Sequence, residues 1–330
     1  MRVLATTAYP EAPSLSYFLE YAQQDQLKIH TLVNDPELAD IIIFVDPPNP
    51  DDDFFLTKLF DHPWLKHFWY KFIVYNERDE PFTILPGLYT SLLKSQWNPK
   101  RHRPCVYLQV PNQFVGKSFS YKKDLLGSFM GSSRTHPLRK KLLSLNFSEL
   151  YLEDTTNYWF FGNTKNPQAH DNQTKSQKLK YAEIMARSKF VLCPRGKSPS
   201  SFRVYEALMS GAVPVIISDE WIQPDGPNWQ EFCIFVPENN IENIENIVQS
   251  SESKYEQMVQ LGKMAYNEWL SPNVRFHHMI ESASLILKNP RWTEQIWQNL
   301  PCKVYAKRKI FYIAKTSLKL FKNMKNIKKI

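Results

Sequence analysis

The stretch KFVLCPRGKSPSSFRVYEALMSGAVPVIIS, residues 189–218, decides the fold of this 330-residue chain. It begins with a short apolar run at residues 190–193, as expected for a strand buried on both faces of a parallel sheet. A second apolar run, Val213–Ile217, predicts another buried strand. With the helical segment between them, the two strands predict one right-handed β-α-β unit.

The helix between these strands has recognisable ends. Ser200 or Ser201 offers an N-cap oxygen, and apolar residues then recur at helical spacing. Gly211 stands where a C-cap glycine belongs. The whole unit can therefore be assigned from local signals.

Charged residues lie at the junctions of this unit. Arg195 follows the first strand, and Arg203 occupies the first helical turn, where the helix dipole disfavours a cation. An anion at the helix N-terminus would explain both, because backbone N–H groups and guanidinium groups together bind phosphate. Glu206, one turn later, could accept hydrogen bonds from ribose hydroxyls, with Ser201 in the same site. We expect a nucleotide-diphosphate site here, and we expect neither arginine to be a core residue.

Another interpretation of Arg203 and Glu206 remains open. They are spaced i,i+3 on the helix and could form only a surface ion pair, worth about 0.2–0.5 kcal/mol. Arg195 in the adjoining turn favours the nucleotide site.

Residues 193–224 resemble the C-terminal signature of the exostosin-family glycosyltransferases. Those enzymes resemble one another in a CPRG turn, a Ser-Phe-Arg, a Glu-Ala-Leu, a small residue before Val-Pro-Val, and a Trp and a Pro just after. All of these are present here, ending in Trp221 and Pro224. The earlier segment DLLGSFMGSSRTHPLRKKL, residues 124–142, is similar to the start of the family's nucleotide-binding half. The resemblance covers roughly residues 75–285. Eukaryotic exostosins resemble one another in a membrane anchor and a lumenal position, and the sequence departs from that pattern, so we expect a bacterial, cytoplasmic version of the family.

Composition limits the class of protein further. The length predicts two domains, and 9 glycines without a GxGxxG motif argue against a dinucleotide-binding dehydrogenase. The 4 cysteines are widely separated and form no CxxC pair, which predicts a reducing cytosol and no zinc site. Neither a signal peptide nor an apolar run of about 18 residues is evident, so we expect a cytoplasmic protein.

The net charge of +8 belongs to the C-terminal tail. Residues 301–330 contain nine lysines, Arg308 and no acidic residue, whereas the rest of the chain has a net charge of −2. Apolar residues of the tail fall on one helical face, with lysines on the flanks, so residues 303–329 predict a basic amphipathic helix on an anionic membrane surface. A solvated tail, or a final helix packed on the first domain, would also fit. The apolar-face positions, with one polar gap at Ser317, are Ile310, Ile313, Ser317, Leu320, Met324 and Ile327.

Strands and helices alternate in two sets. We predict an N-terminal acceptor-side α/β domain at residues 1–118, a C-terminal nucleotide-sugar-binding α/β domain at 119–290, and a C-terminal helix and tail at 291–330. Two doubly wound, Rossmann-like domains facing across a cleft constitute the GT-B architecture, which the exostosin resemblance also implies. The predicted strands of the first domain include residues 28–33 and 106–110.

In the second domain, the turn after the strand at residues 125–130 carries Arg134 behind small residues, and we expect it to contact the ligand. A purely structural turn is the alternative. Residues 155–176 predict a polar loop at the cleft, followed by a helix at residues 179–187.

The sequence predicts transfer of a sugar from a nucleotide-sugar, preferably a UDP-sugar, to a hydroxyl group of a glycan acceptor. The resemblance implies inversion, which requires a base, and the base candidates follow strands of the first domain. His136 is a further candidate, although a His-Pro at a helix start is more often structural. The four carboxylate candidates, of which one is expected to act, are Asp46, Glu77, Asp79 and Glu80.

We expect no cofactor and no metal, because arginines and helix N-termini can neutralise the leaving diphosphate. Asp51 and Asp53 could instead form a metal-binding pair, although an acidic helix start explains them more simply. Two other functions remain open: a fucosyltransferase-like enzyme that uses a GDP-sugar, and a non-catalytic glycan- or nucleotide-binding protein. Trp221 and Pro224 could line the sugar pocket or cap the core.

Overall fold

The structure is a computed structural model, and it describes residues 1–46, 57–81, 83, 85–109, 112–116, 121–158 and 167–289, without the side chains of residues 57 and 167–172. Asp51, Asp53 and the basic tail lie outside the described residues.

The first domain is a parallel α/β sheet with helices. Its strands are β1 (Arg2–Thr6), β2 (Thr31–Leu32), β3 (Ile41–Asp46), β4 (Phe72–Asn76), β5 (Gly87–Tyr89) and β6 (His102–Pro104). Its helices are α1 (Ser14–Gln24), α2 (Thr57–Asp61) and α3 (Pro63–His67), with short 3₁₀ turns at Trp69–Lys71 and Lys94–Gln96. The strand order is β2-β1-β3-β4-β5-β6, and every pairing is parallel.

The second domain has the same plan. Its strands are β7 (Leu125–Gly131), β8 (Leu150–Asp154), β9 (Ser188–Pro194), β10 (Val213–Ile217) and β11 (Ile234–Phe235). Its helices are α4 (Pro137–Ser144), α5 (Pro167–Arg187), α6 (Phe202–Met209), α7 (Ile244–Ser251) and α8 (Tyr255–Ala265), and α9 (Pro272–Leu287) follows. Single helical turns occupy Trp229–Glu231, Glu238–Asn243, Glu252–Lys254 and Tyr266–Leu270. The strand order is β11-β10-β9-β7-β8, again all parallel.

Each sheet has an apolar core on both faces, as its apolar strands require. The unit β9-α6-β10 forms as predicted, with Ser201 as the N-cap of α6 and Gly211 at a φ of 64° just after it. The two parallel α/β domains confirm the predicted GT-B architecture.

Helix α9 departs from the predicted division of the chain. We assigned residues up to 290 to the second domain, but α9 packs on the first. Its apolar side chains Phe276, Met279, Ile280, Ala283 and Ile286 share a core with Val3 and Phe18. The buried Arg275 stabilises the packing of α9 on the first domain, since its Nη1 donates 2.9 Å hydrogen bonds to Tyr21 Oη and to the Tyr107 carbonyl oxygen.

Three other predictions of secondary structure are wrong. The strand expected at residues 28–33 contains only Thr31 and Leu32, because Lys28 has a φ of 53°. The strand expected at 106–110 does not form over residues 106–109; its side chains divide between the cores of the two domains. The helix expected at 179–187 begins at Pro167, within the segment predicted to be a loop.

The domains meet through specific polar contacts. Ser91 Oγ hydrogen-bonds to Ser198 Oγ, Arg103 Nη2 lies 2.6 Å from Asp225 Oδ2, and Leu93 pairs with Trp221 in an isolated antiparallel bridge. These contacts fix one sheet edge against the other near the candidate site.

Within the described part of the chain, helices fall short of the length and apolarity that crossing a membrane demands.

Candidate functional site

The candidate site lies at the carboxyl edge of the second sheet, where β7 and β9 are neighbours although β8 separates them in sequence. Such a reversal of strand order leaves a crevice outside the carboxyl ends of the two strands, and ligands of parallel α/β sheets bind in it. The side chains predicted for the nucleotide follow β7 and β9 at this edge.

Arg203 is the most buried cation of this crevice. Its Nη2 donates a 2.7 Å hydrogen bond to the carbonyl oxygen of Met130 in β7. Its Nε and Nη1 are buried, and neither has a hydrogen-bond partner among the described residues. Gly131 leaves space for this group, because an added Cβ would lie 3.1 Å from Nη2 and 2.6 Å from the Phe129 ring.

The expectation that Arg203 lies outside the core is wrong, since the residue is 8% exposed. The first turn of α6 packs against β7, so the guanidinium covers Phe129, with Cζ 4.8 Å from the ring centroid. A buried guanidinium with two unpaired nitrogen atoms is costly unless an anion or an acceptor reaches them.

Arg139 of α4 adds a second guanidinium, which the sequence alone does not indicate. Its Nε donates to the Arg195 carbonyl oxygen at 3.0 Å and its Nη2 to that of Pro194 at 3.0 Å, so it is fixed to the end of β9. Burial and the neighbouring positive charge of Arg203 lower the pKa of Arg139 to about 9. Only its position in the segment 124–142 could have drawn attention to it.

Arg195 extends the ladder of β9, because its backbone N–H donates to the Ile217 carbonyl oxygen at 3.0 Å. Its side chain is 14% exposed, with Nη1 3.8 Å from Glu238 Oε1. Its Nε is buried and has no hydrogen-bond partner within the described ranges. Arg195 therefore lies at the same edge as Arg203, as predicted, and Arg139 lies there too.

Arg134 is exposed at the tip of the turn after β7. The small residues of this turn are held by the end of β8, since Ser133 Oγ donates to Asp154 Oδ2 at 2.7 Å and the Ser133 N–H to Thr156 Oγ1 at 3.0 Å. These bonds explain the composition of the turn structurally. Ligand contact by Arg134 stays a prediction.

Ser201 and Glu206 occupy the two ends of this part of α6. Ser201 Oγ accepts a 3.3 Å hydrogen bond from the Arg203 N–H as the N-cap. Glu206 is buried, and its Oε2 accepts a 2.7 Å hydrogen bond from Tyr181 Oη. Burial raises the pKa of Glu206, against the Tyr181 hydrogen bond and the charge of Arg203. Glu206 is therefore not a surface residue, and its contact with ribose stays a prediction.

Two of the four base candidates have structural partners. Asp46, at the end of β3, is buried in a two-point ion pair with Arg78, with Oδ2–Nε at 2.7 Å and Oδ1–Nη2 at 2.8 Å. Glu77 is buried, and its Oε1 accepts hydrogen bonds from Tyr75 Oη and the Leu108 N–H, while burial raises its pKa. Both carboxylates thus hold loops of the first domain in place.

Asp79 and Glu80 are exposed. Desolvation nevertheless raises the pKa of Asp79, and the positive charges of Lys197 and Arg139 in the second domain oppose that rise. An accessible carboxyl that is desolvated and close to the other domain's cations is characteristic of a cleft. Of the two exposed candidates, Asp79 is the one whose carboxyl is influenced by the charges of Lys197 and Arg139 of the second domain.

The other candidates, one for the base and two for the sugar pocket, have structural roles. His136 caps α4, since its Nδ1 accepts a 3.2 Å hydrogen bond from the Leu138 N–H, and burial lowers its pKa. Trp221 is 3% exposed and packs against Trp229, whose Nε1 donates to the Pro224 carbonyl oxygen at 2.9 Å. Trp221 and Pro224 therefore belong to the core of the second domain.

A row of hydroxyl groups, unforeseen in the sequence, joins the domains beside the arginines. Tyr107 Oη hydrogen-bonds to Ser200 Oγ, and Ser200 Oγ lies 3.2 Å from Ser198 Oγ, which in turn reaches Ser91. All four residues are buried. The serines of the KSPSS segment thus connect the turn after β9 to the first domain.

Comparison with known proteins identifies the part of the chain that holds this site. Residues 95–251 match the family model described as the Exostosin GT47 domain. These residues form an exostosin-family domain. The exostosin domain contains the whole second sheet and the arginines of the crevice, so the predicted resemblance is confirmed.

Relatives of the exostosin domain match only part of their length. A probable glycosyltransferase of Arabidopsis thaliana is 38% identical over 107 residues, which are 30% of this chain and 21% of that protein. An exostosin-1 homolog of Caenorhabditis elegans is 37% identical over 93 residues, covering 27% and 24%. A probable glucuronosyltransferase of Oryza sativa subsp. japonica is 40% identical over 72 residues, covering 21% and 17%. The chain thus spans less than a quarter of the length of these relatives.

Solved structures that cover most of this chain match it at low identity and with TM-scores below 0.5. A glycosyltransferase from Rickettsia africae gives a TM-score of 0.42 at 11% identity, with 88% of this chain and 99% of that one covered. Anabaena HepE, solved with UDP and glucose, gives a TM-score of 0.39 at 9% identity, with 86% and 99% covered. The fold described above rests on the sheet topology itself.

Proposed function

We propose that this chain is a glycosyltransferase that moves a sugar from a nucleotide-sugar, preferably a UDP-sugar, to a hydroxyl group of a glycan acceptor with inversion. The observation that carries the proposal is the buried Arg203 guanidinium, whose Nε and Nη1 have no hydrogen-bond partner in the described part of the chain, beside Arg139 at the carboxyl edge of β7 and β9. Membership of the exostosin family supports the same reaction class.

The chemistry needs positive charge where the bond to the diphosphate breaks. As the sugar leaves, negative charge develops on the β-phosphate, and preorganised donors stabilise it most strongly in a site that excludes water. Arg139, Arg195 and Arg203 supply such donors, so the transfer needs no divalent metal.

Inversion in one displacement also needs a base for the acceptor hydroxyl. Asp79 is the best placed candidate, because it is accessible and lies near Lys197 and Arg139. Desolvation raises the pKa of its carboxyl, which makes the carboxylate a stronger base than a fully solvated one.

The proposed reaction is tested by incubating the protein with UDP-sugars and GDP-sugars and measuring release of the free nucleotide with and without glycan acceptors. Release of UDP that increases with an acceptor supports the proposal. Release of GDP instead would indicate the fucosyltransferase-like alternative. Tight nucleotide binding without turnover of any donor would indicate a binding protein.

We further infer from the lysine pattern of residues 303–329 that the protein binds an anionic membrane surface, where it would meet a lipid-linked acceptor. Sedimentation with anionic liposomes compares the full chain with a chain ending at Pro301. Pelleting of the full chain that declines at high salt supports the inference, and equal pelleting of both contradicts it.

A further inference from the structure

Three potential metal ligands converge on the first domain, away from the crevice. His30 directly precedes β2, whereas His277 and Glu281 lie one turn apart on the same face of α9. One ligand atom from each of the three side chains lies within 4.8 Å of the other two. Folding therefore brings residues about 250 positions apart in sequence into one small cluster.

Two ring nitrogens in this cluster are unsatisfied. His30 Nε2 and His277 Nδ1 are buried, and neither has a hydrogen-bond partner in the described structure. The His30 side chain is 1% exposed, and its Nε2 is 3.2 Å from Glu281 Oε1 without the alignment of a hydrogen bond. Its other nitrogen, Nδ1, is 3.1 Å from the Met1 nitrogen. A buried polar atom without a partner costs free energy, and a bound cation would remove that cost.

Two acidic groups beside the cluster favour a cation, against the positive charge of the Met1 ammonium group next to His30 Nδ1. Glu281 provides a carboxylate, and the nearby Asp25 is 1% exposed and has an Oδ1 without a partner among the described residues.

We propose that His30, His277 and Glu281 bind a divalent transition-metal ion, with zinc the best chemical match. Two imidazoles and one carboxylate form a ligand set that zinc accepts, and water would complete the tetrahedron. Ligand atoms around tetrahedral zinc are about 3.4 Å apart, so the cluster must contract on binding. The two imidazole planes are 22° apart with centroids at 5.0 Å, which means that the half-buried His277 ring must turn. The exposed Glu281 can follow it.

The position of the cluster predicts a structural role. His30 lies where β2 begins, at the amino edge of a parallel sheet whose carboxyl edge carries Asp46 and Asp79. The metal would fasten α9, the helix that returns from the second domain, to the first sheet. It would therefore stabilise the return of the chain without taking part in the sugar transfer proposed above.

The test is binding of zinc and cobalt ions to the purified full chain after treatment with a chelator. We expect one bound ion per chain in calorimetry, a rise in melting temperature with zinc, and the visible absorption bands of tetrahedral cobalt. His277→Ala and Glu281→Gln should each weaken zinc binding by about tenfold or more. Both residues are more exposed than His30, so these variants should fold.

His278→Ala is the matched control, because this imidazole places its Nε2 2.8 Å from the Glu268 carbonyl oxygen and offers the cluster no ligand atom, although its ring packs edge-on against His277. It should bind zinc as the unmodified chain does. The proposal would be overturned if the unmodified chain bound no stoichiometric zinc, or if the His277 and Glu281 variants bound zinc as tightly as the unmodified chain. UDP binding should be the same in all four proteins, so failure of the metal site is distinguishable from failure of the proposed reaction.

Discussion

Arg139 and Arg203 bring their guanidinium groups to the same aromatic ring, with Cζ atoms 5.8 Å and 4.8 Å from the Phe129 centroid. Arg139 comes from α4 and Arg203 from α6, so the two helices that flank the crevice both direct a cation into it. Two like charges that lie close together in a partly buried site repel and destabilise each other. An anionic ligand would relieve that repulsion, and this is the physical basis of the predictions about nucleotide binding.

Arg195→Ala should weaken UDP binding by about tenfold or more, the scale of one hydrogen bond to a charged group. Arg195 is partly exposed, so the melting temperature should change little. Isothermal calorimetry measures the affinity. Arg187→Ala is the matched control, because Arg187 directly precedes β9 and so lies at the opposite edge of the same sheet. Unchanged affinity in the Arg195 variant would show that the site is wrongly assigned.

Glu206→Gln should weaken UDP binding by about 1–3 kcal/mol if the carboxylate contacts ribose. Tyr181→Phe is the control, since it removes the 2.7 Å hydrogen bond to Glu206 and leaves the carboxylate in place. Calorimetry and thermal unfolding together separate binding from stability. A large fall in melting temperature with retained affinity would instead identify Glu206 as structural.

Asp79→Asn should reduce transfer by about 10²–10⁴-fold, the usual contribution of a general base, while UDP affinity remains nearly the same. Desolvation raises the pKa of Asp79, so the rate in the unmodified protein should increase with pH as this carboxyl loses its proton. The midpoint should lie above the ordinary value for an aspartate.

Glu80→Gln is the control for Asp79, because it changes an adjacent exposed carboxylate. Measurement of kcat/KM against pH for the unmodified protein and the two variants shows which of the two carboxylates acts as the base. Retained activity in the Asp79 variant would exclude this residue as the base.

Arg78→Met should lower the free energy of unfolding by about 3–5 kcal/mol, because it leaves the buried Asp46 carboxylate without its cation. Arg103→Met, which breaks the more exposed pair with Asp225, should cost at most about 1 kcal/mol. Urea unfolding followed by circular dichroism measures both values. Equal stability of the two variants would contradict the structural role given to Asp46.

Transfer should persist in excess EDTA, since three arginines can neutralise the leaving diphosphate. The zinc site proposed at His30 predicts that EDTA lowers the melting temperature even so. Loss of activity in EDTA with rescue by manganese would show that the reaction needs a metal, with Asp51 and Asp53 as the first ligands to test.

The unit β9-α6-β10 could be predicted because every signal in it is local. Strands buried on both faces are apolar runs. A serine such as Ser201 can cap a helix whatever packs around it, and Gly211 adopts its positive φ without strain. The short strands β5 and β6 have no comparable signal, since each has three residues and one contains Gly87. They form because a neighbouring strand offers them hydrogen-bond partners.

The sequence alone determined which residues follow the strands of the second sheet, and therefore that Arg195 and Arg203 share an edge. Tertiary structure decided that Arg203 is buried, that Arg139 joins it, and that Asp46 and Glu77 are occupied by Arg78 and Tyr75. It also decided that α9 returns to the first domain and brings His277 and Glu281 to His30. The reason is physical: a periodic pattern reports which face of an element is apolar. What covers that face, and which charges meet there, depends on segments far away in the chain.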